Sequence, residues 1–413
     1  MEKKRINNHL EGVRVLDLTT NLSGPYAAQN LSAMGAEVIK IERPYIGDTC
    51  RWNPPYVGPD GVTFEMKNDI DISIQYLRQN RKKKSIFLNL KSENGKEIFK
   101  RLVKMSHVVM ENFSPGTMQS LGLDYSELKK VNPKIIFCSI SGYGQNGPYR
   151  ERTAFDLTVA ATSGIMGIPG FSNDRPMRSG TWMGHMIPAM WATIGILAAL
   201  ISREKTGRGE RIDISMQDAC FSMATDDALD ITLSTGVPER KKKLFRMAPW
   251  NAYPAKDGYI VICVSNNTQW KAFLEAIGRE ELKRDPRFKN QQGRYKHADE
   301  IDQIVIDWLK DLTREDALRL LRGKKVPCEP IAGFEEALED PQLRFRGMIQ
   351  EAMHPVCGNT SLKVTGFPIK FSELKAGFSE PAPYPGQHNE EIYMGLLGLS
   401  KEHMEKLKEE EII

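Results

Sequence analysis

The sequence lacks the cysteine and histidine spacings that metal centres and redox motifs require. Its six cysteines include no C-x-x-C pair, and its seven histidines include no H-x-x-x-H or H-E-x-x-H motif. We therefore expect no metal site and no disulfide framework. Widely spaced, reduced thiols are typical of a cytoplasmic protein.

Long hydrophobic runs and an excess of charge of one sign are also missing. The longest apolar stretch, Met186–Ile201, has 16 residues and contains Pro188 and Gly195, whereas a membrane span needs about 20. We predict a buried core helix there and no membrane partner. No apolar segment follows the basic N-terminus, so no signal peptide is predicted. The net charge of +4 comes from 57 basic and 53 acidic residues spread along the chain, which argues against a nucleic-acid partner.

The common hydrolase and nucleotide-binding motifs are absent as well. The chain contains no G-x-S-x-G elbow, no Walker A loop and no G-x-G-x-x-G fingerprint. These absences exclude the simplest assignments of the chain to the serine hydrolases, the P-loop NTPases or the dehydrogenases.

What is present is an alternation of apolar strands and helices. Strands are predicted at Val13–Thr19, Glu37–Glu42, Ser85–Leu90, His107–Phe113 and Lys134–Ile140, with helices over Ser23–Met34 and Glu93–Met105. Short connections between them predict an α/β fold with a mostly parallel sheet covered on both faces. Ligands of such sheets bind at the carboxyl ends of the strands.

A second, smaller domain is predicted to begin near residues 233–246. Gly236, Pro238 and the basic run Arg240–Lys243 suggest a surface linker. A strand at Tyr259–Val264 followed by helices then indicates a small α+β module.

Three places are candidate functional positions from local pattern alone. Asn21–Pro25 opens a helix directly after the first strand, where free N–H groups suit an anion, although an ordinary turn explains it equally well. Arg43 follows the second strand and is placed either to reach the same anion or to form a surface salt bridge. His185 lies beside Gly184 at the start of the apolar helix, where a lone histidine is more often structural than catalytic.

Several segments together resemble class III CoA-transferases of the formyl-CoA and carnitine CoA-transferase type, in the family's order over nearly the whole chain. They are LEGVRVLDLT from Leu10, SGPYAAQNLSAMGAEVIKIERP from Ser23, LNLKSENGKEIF from Leu88, ENFSPGTMQSLGLDYSEL from Glu111, NPKIIFCSISGYGQNGPY from Asn132, AFDLTVAATSGIMGIPG from Ala154, REKTGRGERIDISMQDA from Arg203 and PGQHNEEIYMGLLGLS from Pro385.

The resemblance implies a large, Rossmann-like, doubly wound domain built from both termini, residues 1–225 and 341–413, and a smaller α+β middle domain, residues 226–340. It also implies that two subunits interlock as rings. Members of the family move CoA from an acyl-CoA to a carboxylic acid through a covalently acylated aspartate. A coenzyme A thioester is then a substrate, and no permanently bound cofactor is expected.

The resemblance also assigns site residues, with gaps. It places six residues in CoA binding: Arg43, Leu88, Asn89, Lys91, Asn112 and Phe113. Ser120 and Thr153 occupy the positions of two phosphate-contacting cations. Residues 245–250 (FRMAPW) replace the glycine-rich loop that closes over the intermediate in formyl-CoA transferases.

The position of the family's nucleophilic aspartate holds His185. An acyl-imidazole hydrolyses readily and has no thioester equivalent for the second half-reaction, so His185 is a poor substitute. The His/Asp pair of the related racemases is missing too, because Phe155 and His185 occupy those two positions.

These departures lead to the hypothesis of a subunit without the nucleophile, acting with a paralogous subunit that carries the aspartate. The two-subunit benzylsuccinate CoA-transferase of anaerobic metabolism is similar, so succinyl-CoA and an aromatic succinate such as benzylsuccinate are expected substrates. One alternative is a self-sufficient transferase that uses another carboxylate such as Asp156. The other is an acyl-CoA racemase-like isomerase or a non-enzymatic structural subunit.

Overall fold

The structure is a computed structural model that describes residues 7–170, 175–223, 229–230, 233 and 247–413. All of the predicted linker at 233–246 except residue 233 lies outside the described residues, as do residues 245 and 246 of the predicted loop replacement. The chain divides into two compact units. The large unit comprises Met1–Pro169, Arg175–Thr225 and Arg344–Ile413, and the small unit comprises Gly170–Asp174 and Asp226–Leu343.

The strands and helices are numbered in chain order. The strands are β1 (Arg14–Asp17), β2 (Glu37–Glu42), β3 (Tyr56–Gly58), β4 (Gly61–Thr63), β5 (Ile72–Ser73), β6 (Lys84–Phe87), β7 (Val108–Glu111), β8 (Ile136–Ser141), β9 (Arg211–Ser215), β10 (Trp250–Ala255), β11 (Gly258–Cys263), β12 (Cys328–Pro330), β13 (Ile349–His354) and β14 (Gly358–Thr365). The helices are α1 (Ser23–Ala33), α2 (Ile74–Gln79), α3 (Glu93–Lys104), α4 (Thr117–Ser120), α5 (Tyr125–Val131), α6 (Asp156–Thr162), α7 (Met183–Thr206), α8 (Met216–Met223), α9 (Asn267–Ala276), α10 (Gln291–Lys296), α11 (Ala298–Leu309), α12 (Arg314–Gly323), α13 (Phe334–Glu339), α14 (Pro341–Phe345) and α15 (Lys401–Glu409). A π-helical turn lies at Glu391–Leu396, and 3₁₀ turns lie at Thr49–Trp52, Glu280–Arg284 and Pro286–Phe288.

A six-stranded sheet forms the centre of the large unit, in the order β6-β2-β1-β7-β8-β9. Every pairing in it is parallel, which confirms the predicted α/β class. Alternate residues of a strand face opposite sides, so Leu16 belongs to the apolar core on one face and Val15 to the core on the other. Both faces are therefore buried, as continuous apolar strands predict.

The longest helix of the large unit, α7, packs against the second of these cores. Ala189, Ala192 and Ile196 are fully buried there, and α7 lies against α1. In the part of the chain that the structure describes, α7 is the one helix long and apolar enough to cross a membrane, and half of its most apolar window is buried.

Three smaller features of the large unit were not predicted. One is the antiparallel sheet β4-β3-β5. Another is the antiparallel hairpin formed by β13 and β14. The third concerns the charged C-terminal helix, α15, which buries Met404 and Leu407 and so contributes to the core as well as to the surface.

The small unit has its own core. An antiparallel sheet in the order β10-β11-β12 packs with α9, α11 and α12 around Trp270, Phe273 and Phe288.

Candidate functional site

A cavity of about 490 Å³ lies at the carboxyl ends of β1, β2 and β6. Five of the six residues assigned to CoA by resemblance line it: Arg43, Leu88, Asn89, Lys91 and Phe113. They follow three different strands, and parallel strands bring their carboxyl ends to one edge of the sheet. The cavity therefore lies where the strand order predicted a ligand.

Asn112, the sixth residue, acts behind the cavity wall. Its side chain makes two hydrogen bonds with the backbone of Thr20, donating to the carbonyl at 2.8 Å and accepting from the N–H at 2.8 Å. Thr20 lines the cavity. Asn112 thus fixes the turn after β1 and couples it to the end of β7.

The contacts of the turn at Asn21–Pro25 favour the ordinary turn over the anion site. The backbone N–H of Asn21 already donates to Asp48 Oδ1 at 2.9 Å, and the cavity is lined by Thr19 and Thr20 rather than by the first turn of α1. Gly24 packs so closely that a Cβ atom there would lie 2.2 Å from Thr19 Cβ. Close packing of helix on strand, and not ligand approach, explains this glycine.

A buried ion pair lies in the floor of the cavity. Lys40 Nζ lies 2.8 Å from Asp48 Oδ2 and donates to the Thr19 carbonyl at 2.7 Å. Burial alone would lower the pKa of Lys40, but the carboxylates of Asp48 and Asp17 outweigh it and raise that pKa above its ordinary value. The pair ties β2 to the loop that follows it.

A second buried pair joins Lys83 to Asp17, with Nζ 2.9 Å from Oδ2. Lys83 also donates to the Pro25 carbonyl at 2.9 Å and to Asn80 Oδ1 at 2.8 Å. Burial lowers the pKa of Lys83 to about 8 despite the Asp17 carboxylate. The start of α1 is thereby held against β1.

Glu42 and Arg51 form a bidentate pair beside the cavity. Arg51 Nε and Nη2 donate to the two carboxylate oxygens of Glu42, each at 2.7 Å. Burial would raise the pKa of Glu42, but the guanidinium lowers it below its ordinary value. Because both oxygens are occupied, Glu42 is a structural residue of the wall.

The open wall of the cavity is cationic and apolar. Arg43 and Lys91 are exposed, and among the described residues neither has an ion-pair partner, so both charges are available to a phosphorylated ligand. Tyr45, 72% exposed, and Ile46 extend the wall. Sequence reasoning missed these two, although an aromatic residue directly after IKIERP is a recognisable signal for a stacking surface.

The loop that carries Lys91 is fixed by the C-terminal segment. The backbone N–H of Asn89 donates to the Ile412 carbonyl at 2.8 Å, and Asn89 Oδ1 accepts from the N–H of Lys91 at 3.1 Å. These bonds present Lys91 at the rim.

Of the two positions where the resemblance expects a cation, one is in the cavity. Ser120 lines it, while Thr153 is exposed and does not. A serine hydroxyl supplies a hydrogen bond but no charge, so the cavity holds fewer cations than the resemblance implies.

His185 lies in the first turn of α7 and does not line the cavity. Its backbone N–H donates to Asp156 Oδ1 at 3.2 Å, and within the described residues its buried Nδ1 has no hydrogen-bond partner. Burial lowers the pKa of His185, and the Asp156 carboxylate only partly offsets this. The imidazole is therefore neutral near pH 7.

Asp156, the alternative nucleophile, begins α6 and is 3% exposed. Gly184 allows α6 and α7 to approach here, because a Cβ atom at that position would lie 2.6 Å from the Asp156 carbonyl oxygen. A carboxylate that is covered and already bonded to the His185 N–H is poorly placed to attack a thioester from within this chain.

No group of three or more metal-ligating side chains occurs among the described residues. The six cysteines are free thiols.

Known proteins are similar to this chain over nearly its whole length. The model of CoA-transferase family III matches residues 10–389. The chain is 36% identical to human succinyl-CoA:glutarate CoA-transferase over 397 residues, covering 94% of this chain and 86% of the relative. It is 32% identical over 407 residues to the succinyl-CoA–L-malate CoA-transferase alpha subunit of Chloroflexus aurantiacus, covering 98% and 92%.

A solved structure is similar as well. The crystal structure of a CAIB/BAIF family protein from Brucella suis has a TM-score of 0.80 and 31% sequence identity, covering 95% of this chain and 100% of that one.

Proposed function

Because this chain belongs to CoA-transferase family III, we propose that it is a subunit of an enzyme that moves CoA from succinyl-CoA to a small dicarboxylic acid, and that a paralogous subunit supplies the nucleophile. The observation that carries the proposal is His185, a neutral imidazole at the position where the resemblance expects the reactive aspartate.

The chemistry explains why this position decides the role. A carboxylate attacks the thioester carbonyl and releases CoA thiolate, leaving a mixed anhydride, which the returning thiolate converts to an enzyme thioester of similar energy. That step releases the donor's free acid, succinate. The acceptor carboxylate then attacks the enzyme thioester and displaces CoA thiolate, and the thiolate attacks the acceptor's carbonyl in the new mixed anhydride, which frees the enzyme carboxylate. An imidazole forms only an acyl-imidazole, which water hydrolyses, so the energy of the thioester is lost.

CoA binding is the contribution that this chain retains. The cavity offers the unpaired charges of Arg43 and Lys91 for phosphates and the exposed ring of Tyr45 for an aromatic base. In an assembly, such a site either binds CoA itself or supports the partner's site.

The substrates are proposed from the relatives. Succinyl-CoA is the donor in the names of both curated relatives, with glutarate and L-malate as acceptors. A dicarboxylate of four or five carbons is accordingly the proposed acceptor. Benzylsuccinate has the same succinate frame with an aromatic substituent and stays a finer prediction.

The partner is proposed from the missing nucleophile and from one relative. A relative that is named as an alpha subunit belongs to an enzyme with more than one kind of subunit. Interlocked rings and the paralogous partner both stay predictions for this chain.

The test compares the purified chain alone with the chain co-expressed with a paralogue that carries Gly-Asp where this chain has Gly184-His185. Succinyl-CoA and glutarate are supplied, and glutaryl-CoA is measured. We expect transfer by the pair and none by the lone chain. Robust transfer by the lone chain contradicts the subunit role.

A second candidate is a self-sufficient transferase that uses Asp156, the carboxylate nearest in sequence to the position of Phe155 in the resemblance and next to His185 in the structure. An active lone chain whose activity disappears in Asp156→Asn would establish it. Preserved activity in that variant removes it.

A further inference from the structure

A second cavity, of about 310 Å³, lies against one face of β7, β8 and β9. Glu111 ends β7, Phe137 and Ser139 lie within β8, and Arg211 begins β9. Its polar lining includes Glu111, Tyr125, Ser139, Gln145, Arg150 and Arg211. None of the six residues assigned to CoA lines it. The short helix α4 separates the two cavities, since Thr117 and Ser120 line the first, and Met118 and Gln119 line the second.

Hydrogen-bond donors in this cavity outnumber their acceptors. Gln145 Nε2 is buried and has no acceptor among the described residues. Arg211 Nη2 donates to Gln145 Oε1 only at 3.5 Å, and no carboxylate in the described part of the chain pairs with Arg211. Arg150 forms an ion pair with the exposed side chain of its neighbour Glu151, with Nε 3.3 Å from Oε1. A buried donor without an acceptor is costly unless a ligand or water supplies one.

The carboxyl group of Glu111 also lines this cavity and is 4% exposed. It accepts from the N–H of Phe113 at 2.8 Å. Burial raises the pKa of Glu111 to about 7, although Ser139 and the charge of Arg211 lower it. Below neutral pH this carboxyl therefore carries a proton and can donate a hydrogen bond.

The side chain of Asp124, the other acid in the lining, already accepts hydrogen bonds from α5. Asp124 caps α5, accepting from the Ser126 hydroxyl at 3.1 Å and from the Glu127 N–H at 3.3 Å. It therefore does not neutralise Arg211, and the carboxylate beside Arg150 is the solvent-exposed one of Glu151.

We propose that this cavity binds a carboxylate of a small dicarboxylic acid through its two guanidinium groups and the Gln145 amide. A carboxylate supplies the acceptors that these donors lack, and arginine binds it in a bidentate geometry. The volume suits an acid of a few carbons rather than a whole CoA thioester. The choice of a dicarboxylate rests on the proposed function.

Binding at this site is linked to proton uptake by Glu111. An ionised Glu111 repels the incoming carboxylate, whereas the neutral acid donates to it. The charged groups that face Glu111 are Arg211 and Asp213 from β9, with Arg150 and Asp124 elsewhere in the lining. Because Glu111 is the group that gains the proton, affinity rises as the pH falls.

The test is isothermal titration calorimetry of the full chain with glutarate at about pH 6 and about pH 8. We expect saturable binding that is tighter at the lower pH. Arg211→Gln should raise the dissociation constant about tenfold or more, since a charge-assisted hydrogen bond is lost. Arg150→Gln, on the loop after β8, should act in the same direction and is the second variant if Arg211→Gln fails to fold. Glu111→Gln should remove the difference between the two pH values.

Lys91→Ala is the matched control, because it removes a cation from the first cavity only. It should weaken CoA and leave glutarate affinity unchanged, whereas Arg211→Gln should do the reverse. Absence of glutarate binding, unchanged affinity in both arginine variants, or stronger binding of inorganic phosphate or CoA at this cavity overturns the proposal. A chain that binds glutarate but gives no transfer with its paralogue contradicts the proposed function alone, and transfer without this binding contradicts the second site alone.

Discussion

The contact between Gly184 and Asp156 fixes the position of His185. We predict that Gly184→Ala costs about 1–3 kcal/mol of unfolding free energy, because the new methyl group meets the Asp156 carbonyl and Val159. Urea denaturation measures it. Gly180→Ala is the control, since nothing lies within 4 Å of a Cβ atom there. Equal effects of the two substitutions would show that the contact is not tight.

Arg43 provides a test of the first cavity at the residue scale. Arg43→Ala should weaken CoA binding about tenfold at low salt, because one charged contact to phosphate is lost. Calorimetry with CoA measures this. Lys130→Ala, which removes an exposed charge paired only with Glu127, should leave the affinity as it was. A similar loss in both variants would mean that net charge, and not the site, attracts CoA.

Glu111 gives a pH-dependent prediction. Its pKa in the folded chain is raised to about 7, so its contribution to stability is present at low pH and is lost as the pH rises through about 7. Glu111→Gln should therefore be more stable than the wild-type chain at about pH 8, by roughly 1–3 kcal/mol, and similar to it near pH 5. Urea denaturation at the two pH values checks this. Glu97→Gln, on the exposed face of α3, should show no such difference.

At the scale of elements, buried ion pairs join β1, β2 and the loop after β2. Lys40→Met leaves Asp48 without its cation in the core and should destabilise the chain by about 3–5 kcal/mol. Lys84→Met on neighbouring β6 breaks half-exposed pairs with Glu37 and Glu391 and should cost at most about 1 kcal/mol. Comparable losses in the two variants would contradict a special role for the buried pair.

The parallel strands of the large unit were predictable and its short antiparallel strands were not, for a physical reason. Strands such as β2 and β8 are buried along almost their whole length and are rich in aliphatic residues. The strands β3 to β5 are two or three residues long, too short for any period to appear. Their pairing is decided by tertiary contacts instead.

The candidate site was predictable to a similar extent. Resemblance named residues that gather at one cavity, because their positions follow strand ends. The side chain of Asn112 bonds to the backbone of Thr20, and Asp48 accepts from the N–H of Asn21. Both contacts depend on the direction in which a side chain points, which the spacing of residues in the sequence does not show. One signal was available, since a lysine inside the buried strand EVIKIE needs a buried partner, and the Gly47-Asp48 step supplies it.

At the scale of the whole molecule, the chain has the fold of its family, and the proposed function depends on His185, which the resemblance places at the position of the reactive aspartate. The relatives are matched over nearly their full length, so the departures are local: His185, Ser120 and Thr153. Under the proposed function, another chain performs the covalent step.

Covalent trapping tests this claim most directly. The chain and its Gly-Asp paralogue are mixed with succinyl-CoA, the reaction is quenched with hydroxylamine, and peptides of both chains are searched by mass spectrometry for a carboxylate converted to a hydroxamate. We predict the hydroxamate on the paralogue's aspartate and none on this chain. A hydroxamate on Asp156, or on any other carboxylate of this chain, would contradict the account.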